Sequence, residues 1–239
     1  MNLLRYMASA FTLLVLTGCA AVQQDVKFQS AGLENKSIVI VKSELKPAET
    51  QYTGSVGLLD YGIISAANSG LDRHLKALTF SEFDRVYSTI ESNLKKHNIS
   101  ISYAPNILDR KTVDKIKAPK NGKNVNDLAA LTGNSSANYV LLILPGHFGT
   151  TRSYYGPVPT SEPTAVSGVQ IQLIDAKTNE LKWYRYISSS KTIPAPWDEA
   201  NYPNLTSSLY NSVNELSKLI EAELSHTAAT NNKVAANPN

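Results

Sequence analysis

Hydrophobic spacing along this chain changes repeatedly, and each change marks an element. Ser37 to Lys42 (Ser-Ile-Val-Ile-Val-Lys) and Tyr139 to Leu144 (Tyr-Val-Leu-Leu-Ile-Leu) are unbroken apolar runs, the pattern of strands buried on both faces. Val169, Ile171 and Leu173 alternate with Gln170 and Gln172, which predicts a half-exposed strand. Leu181 to Ser188 returns as its hairpin partner across Asp175-Ala-Lys-Thr-Asn-Glu180, where Asn179 suits a positive φ. Ile99, Ile101 and Tyr103 form a short alternating strand stopped by Pro105. Phe83, Val86, Tyr87, Ile90 and Leu94 fall at helical steps and predict a helix over about 80 to 97. Thr79 and Glu82 stand at capping-box spacing before it, and Lys95, Lys96, His97 and Asn98 close it. Leu205, Leu209, Val213, Leu216, Ile220 and Leu224 make the stripe of a final helix. Gly54 to Leu78 reads as helix or broken helix, interrupted by Gly62 and Gly70. Asn124 or Asn126 caps a short helix over 126 to 132 that Gly133 ends.

The remaining segments lack a period. Pro47 and the polar residues to Thr53 break the pattern, and a lysine-rich stretch from Lys111 to Lys123 reads as a solvated loop. His147 to Thr164, rich in Gly, Pro, Ser, Thr and Tyr, predicts a long functional loop, and Thr192 to Asn204 a second one. Residues 19–36 read as a tether, and 226–239 as a disordered tail. The element order predicts an α/β (α+β) sandwich, a mixed β-sheet with helices packed on it, in one domain over residues 37–225.

The amino terminus has its own layout. Arg5 precedes an apolar stretch from Tyr6 to Thr17, the order of a secretory signal. At 12 residues the stretch is too short for a bilayer span, which takes roughly 20. It ends in Leu16-Thr17-Gly18-Cys19, which resembles a bacterial lipobox: an aliphatic residue, two small ones, then the cysteine that is acylated. Residues 1–18 are then a lipoprotein signal peptide, and Cys19 is the lipidation site, carrying palmitate-like chains, with no catalytic or redox role. Multiple acyl chains give stable anchoring. By resemblance to other bacterial lipoproteins, Ala20 in place of aspartate implies the outer membrane.

Composition narrows the classes further. Hydrophobic residues make up 42% and charged residues 18%, which excludes wholesale disorder. Of 23 basic side chains one, Arg5, is in the signal, so 22 face 20 acidic ones and the mature charge is +2, too balanced for a nucleic-acid binder. With one cysteine there is no disulfide framework, and packing alone holds the fold.

A search for chemistry finds little. His74, His97, His147 and His226 stand far apart, with no metal-ligand spacing, and the sequence holds no nucleophile elbow, phosphate loop or dinucleotide fingerprint, so neither metal nor cofactor is expected. Amphipathic rings in the irregular segments rise above this background: Tyr154 and Tyr155, expected to be exposed; Trp197, which either projects or folds back on the sheet edge; and Tyr202. His147, beside Phe148 and Gly149, completes the candidate interaction set.

Asn126-Asp-Leu-Ala-Ala-Leu-Thr-Gly133 leading into Ala137-Asn-Tyr-Val-Leu-Leu, Val169-Gln-Ile-Gln-Leu-Ile-Asp175 turning into Leu181-Lys-Trp183, and the closing helix together resemble the amino-terminal-domain-like fold of TolB. Several envelope lipoproteins share it, among them the curli secretion channel lipoprotein and the lipoprotein activator of a penicillin-binding protein. Asn179 stands where glycine is commoner. The resemblance covers about residues 37 to 225, and its motifs are structural. It implies anchoring at the outer membrane and protein partners rather than a shared reaction. The expectation is a non-enzymatic outer-membrane lipoprotein on the periplasmic face, binding envelope proteins or itself through 145–166 and 192–204. The alternatives are a ring-forming subunit of a secretion or transport assembly, and a cell-wall or glycan enzyme around His147, Tyr154 and Tyr155.

Overall fold

A computed structural model describes the backbone of residues 24–235 and the side chains of these up to Ser225, Glu82 excepted. The signal peptide and Cys19 lie outside the described residues, as do 236–239. Among the described residues the architecture is one mixed sheet of seven strands with six helices packed on it, an α/β fold.

In chain order the elements are β1 (Ser37–Val41), β2 (Glu49–Ser55), α1 (Leu58–Ala67), α2 (Ser69–Ala77), α3 (Asp84–Lys95), β3 (Ser100–Tyr103), α4 (Arg110–Val113), α5 (Leu128–Thr132), β4 (Tyr139–Tyr155), β5 (Val158–Pro159), β6 (Thr164–Asp175), β7 (Leu181–Thr192) and α6 (Pro203–Ala235). The sheet runs β3-β1-β4-β6-β7. β1 pairs in parallel with both β3 and β4, and the β4, β6 and β7 ladders are antiparallel.

β4 is 17 residues long and organises the rest. β1 pairs with its first part, Tyr139 to Leu142, and β2 takes the same side of its far part, Gly149 to Tyr155. Between them the register with β6 shifts from Pro145 to Phe148. Proline has no N–H for a ladder, and a bulge is where a strand tolerates it. The expected loop from His147 to Thr164 is therefore mostly strand: Pro145-Gly146 bends β4 and does not end it.

The two faces of the sheet are covered differently. Ile38, Ile40, Leu141, Ile143, Val169, Ile171, Leu173 and Trp183 point to one face, beneath the stripe of α6, α3 and the Leu71 and Leu75 side of α2. Each fully buried aliphatic side chain here contributes about 1.5–3 kcal/mol. Val39, Val41, Val140, Leu142, Leu144 and Ile174 point to the other face, where Leu108, Val113, Leu128 and Leu131 cover the half that β1 lines. Beyond it, toward the end of β4, side chains such as Ser188, Ser190 and Tyr155 stand exposed.

Several local expectations change. α3 starts at Asp84 with Phe83 as N-cap, after a tight turn over Ser81–Phe83, so Thr79 does not open it. Phe80 and Phe83 both pack on the core, and that anchoring sets the tighter turn. Asp127, not Asn124 or Asn126, caps α5 by accepting from the N–H groups of Ala129 and Ala130. Asn179 takes the expected positive φ, and Gly133 ends α5 in the left-handed conformation. The 54–78 stretch begins as the end of β2 and then forms two helices that meet at Asn68.

Residues 24–36 are not a free tether. Val26 bridges Tyr184, Phe28 and Leu33 are buried in the main core, and Phe28 meets Trp183 edge-on at 5.3 Å. At the other end the helix continues to Ala235, so the expected disordered tail is helical over 226–235.

Candidate functional site

β2 and β4 lie in parallel register, Tyr52 opposite Arg152 and Gly54 opposite Tyr154. Two-residue alternation therefore puts Thr50 and Tyr52 beside Thr150, Arg152 and Tyr154. The junction of α1 and α2 closes over them. The Asn68 side-chain amide donates to the Tyr154 hydroxyl at 2.8 Å and to the Ile64 carbonyl at 2.7 Å. Arg152 donates to the Asn68 side-chain oxygen at 3.4 Å and, through Nε, to the Ser161 carbonyl at 3.0 Å. Its guanidinium lies 4.8 Å from the Trp197 ring and 5.7 Å from the Tyr154 ring, within cation–π reach of both. Thus one side chain ties the 193–202 segment, the hairpin and the helix junction together.

Tyr52 extends the cluster. Its hydroxyl donates to Asp72 Oδ2 at 3.0 Å, and its ring meets Tyr154 and Tyr61 edge-on, each at 5.6 Å. Burial first, and then the hydrogen bond to Asp72, pushes this phenol well above its ordinary value, so it stays a neutral donor. Asp72 Oδ1 is buried without a hydrogen-bond partner.

A second group lies nearby. His74 Nε2 is 2.8 Å from the Thr206 hydroxyl, which itself donates to the Tyr202 carbonyl at 2.9 Å. A hydroxyl has one proton, so the imidazole nitrogen is the donor and Thr206 the acceptor. This is no base-activated nucleophile. Burial lowers the His74 pKa, and the Tyr202 ring rests 4.9 Å from the imidazole.

The structure sorts the expected interaction residues. Tyr155 is exposed, as expected, but Tyr154 is buried, because its hydroxyl finds Asn68 and its ring finds Tyr52. Trp197 and Tyr202 are half-buried and pack against the core. His147 is half-buried on the bulge of β4, with Nε2 donating to the Thr150 carbonyl at 3.1 Å. It stands seven residues before Tyr154 on one strand, about 23 Å away at 3.3 Å per residue. His147, Tyr154 and Tyr155 do not converge on a common centre.

Arg152, Asn68 and Tyr52 are not singled out by the sequence reading. The signal for Tyr52 and Arg152 is the alternation Thr50-Tyr52 and Thr150-Arg152-Tyr154, hidden because both segments read as irregular. Among the described residues no cluster of three or more His, Cys, Asp or Glu is placed to hold a metal. A recess of about 390 Å³ lies at the other end of the sheet, lined by Lys36, Asn138, Tyr139, Asp175 and Lys177.

No family model matches the chain, and no curated protein does. Solved structures do. A protein from Xanthomonas campestris is similar at 11% identity and a TM-score of 0.40, over 89% of this chain and 96% of that one. A hypothetical protein from Chlamydia trachomatis is similar at 12% identity and 0.38, over 79% and 98%. A minor lipoprotein from Acinetobacter baumannii is similar at 10% identity and 0.34, over 81% and 94%. At such TM-scores these likenesses carry no argument about function.

Proposed function

We propose that this chain is a lipoprotein held by acylated Cys19 on the periplasmic face of the outer membrane, where its domain acts as a non-enzymatic module binding other envelope proteins. The observation that carries the proposal is the order Arg5, apolar Tyr6 to Thr17, then Leu16-Thr17-Gly18-Cys19. The resemblance of the 126–142 and 169–183 segments to TolB-like envelope lipoproteins supports it. So does the engagement of the polar groups around Arg152 with one another, which suits a scaffold more than a reaction centre.

The binding surface on offer is the outer edge of β7. This strand ends the sheet order, and among the described residues no strand lies beyond it; Val26 bridges it at Tyr184. Alternation from Tyr184 turns the outward backbone groups of Tyr186, Ser188, Ser190 and Thr192 toward solvent, and their side chains are exposed. An open edge of this kind accepts an extended segment of a partner as an added strand. Because residues 24–36 are packed, four residues separate Cys19 from the fold, and the lipid concentrates the edge close to one membrane surface. A photo-activated crosslinker at Ser190 is expected to capture a defined envelope protein, whereas one at Lys177 captures none. Equal, weak labelling from both positions would remove the edge as a binding surface.

A further inference from the structure

α1 is built inside out. Its sequence, Leu58-Leu-Asp-Tyr-Gly-Ile-Ile-Ser-Ala-Ala67, is almost wholly apolar, yet of these only Ile64 is buried. Leu58 is 92% exposed and Leu59 85%, and at 100° per residue they share one outward face with Gly62, Ile63 and Ala66. The helix's one charge, Asp60, turns back to accept from the Gly57 N–H at 2.9 Å, so it does not stand on that face. A soluble helix buries such a stripe and shows water its polar side.

The tip of the neighbouring hairpin is apolar as well, its exposed side chains standing on the sheet face away from the α1–α2 junction. β2 ends with Ser55 beside Tyr155, and Gly156 N–H donates to the Ser55 carbonyl at 2.8 Å, so α1 begins at the tip of β4 and β5. Tyr155, 73% exposed, and the exposed Val158 stand there with the exposed Tyr61.

Chain direction supplies the occupant. β7 runs parallel to β4, both being antiparallel to β6, and Val26 pairs with Tyr184 antiparallel. From Val26 back to Gln24 the chain therefore runs toward the α1 end of the sheet. Cys19 lies five steps further, within about 18 Å of Gln24. Resting on the reading of Cys19 as acylated, we propose that α1, Tyr155 and Val158 form a membrane-docking patch that settles into the headgroup layer of the same bilayer that holds the anchor. Ten residues of helix are about 15 Å long, half the hydrocarbon thickness, so α1 lies in the interface and does not span it. Tyr61 and Tyr155, apolar ring with polar tip, suit that depth. Docking would fix the orientation of the domain on the membrane and leave the edge of β7 accessible.

The test uses the full-length lipoprotein carrying Leu59→Cys, labelled with an environment-sensitive dye and placed in phosphatidylethanolamine and phosphatidylglycerol vesicles that contain a doxyl-labelled phosphatidylcholine. An acylated Cys19 has no thiol to label. The dye at position 59 is expected to shift to the blue and to be quenched by doxyl several-fold more than a dye on Lys177→Cys at the opposite end. Equal quenching at both positions overturns the proposal. So does a blue shift that persists without vesicles and grows with protein concentration, because a second copy then covers α1. The mass of the same protein reports Cys19 independently. If Cys19 is unmodified, the anchoring reading fails, and docking is scored by flotation with vesicles and its loss in Leu58→Asp with Leu59→Asp.

Discussion

At Gly149 the backbone has φ of 136°, and a Cβ there would stand 2.0 Å from the Glu49 carbonyl oxygen. Neither problem is relieved by a side-chain rotation, since the obstacle is the backbone of the paired strand. Gly149→Ala is expected to cost about 1–3 kcal/mol in urea unfolding. Gly62→Ala, in open space on a helix, is expected to add up to about 1 kcal/mol. His74 makes a second prediction at this scale. Burial puts its folded-state pKa below the ordinary 6.5, so the unfolded chain takes the proton first as pH falls. Its contribution is complete above about pH 6.5 and is lost as pH falls below that toward the folded-state value. Thermal midpoints of His74→Gln, measured from about pH 8 to about pH 5, should fall less steeply than those of the parent. An identical slope would show that His74 does not report burial. Gly149 reads in the sequence as a loop glycine, because the β2 carbonyl that forbids a side chain there lies a hundred residues away.

Elements with strong periods were legible, and those defined by their neighbours were not. β1, the first half of β4, β6, β7, α3 and α6 stand where their apolar positions predict, because each buries a stripe or a face of its own. β2 has no such face. Glu49 to Ser55 is a strand because β4 extends past β1 and offers it an edge. The Pro145-Gly146 pair reads as a strand end and is a bulge, since the ladder to β6 resumes at Phe148. The amino-terminal segment reads as a tether for a similar reason: Phe28 and Leu33 are too sparse to make a period, yet both are buried. Phe28→Ala should therefore destabilise the domain by about 3–5 kcal/mol, with a change in Trp183 fluorescence. A free tether would show neither change.

For the whole molecule, charge, packing and chain direction point the same way. A nearly neutral domain with a closed polar cluster, an open sheet edge and an apolar helix at the end toward which Val26 to Gln24 runs fits the proposed surface-bound binding module. Of the candidate residues, Tyr155 kept its expected exposure, while Tyr154 and Trp197 joined the Arg152 cluster, a contact between segments 45 residues apart that no local pattern announces. The account depends above all on Cys19. Mass spectrometry of the protein extracted from membranes should find a mature chain that starts at Cys19 and carries acyl groups on it. A chain that retains residues 1–18, or one whose Cys19 is a free thiol, would contradict the account.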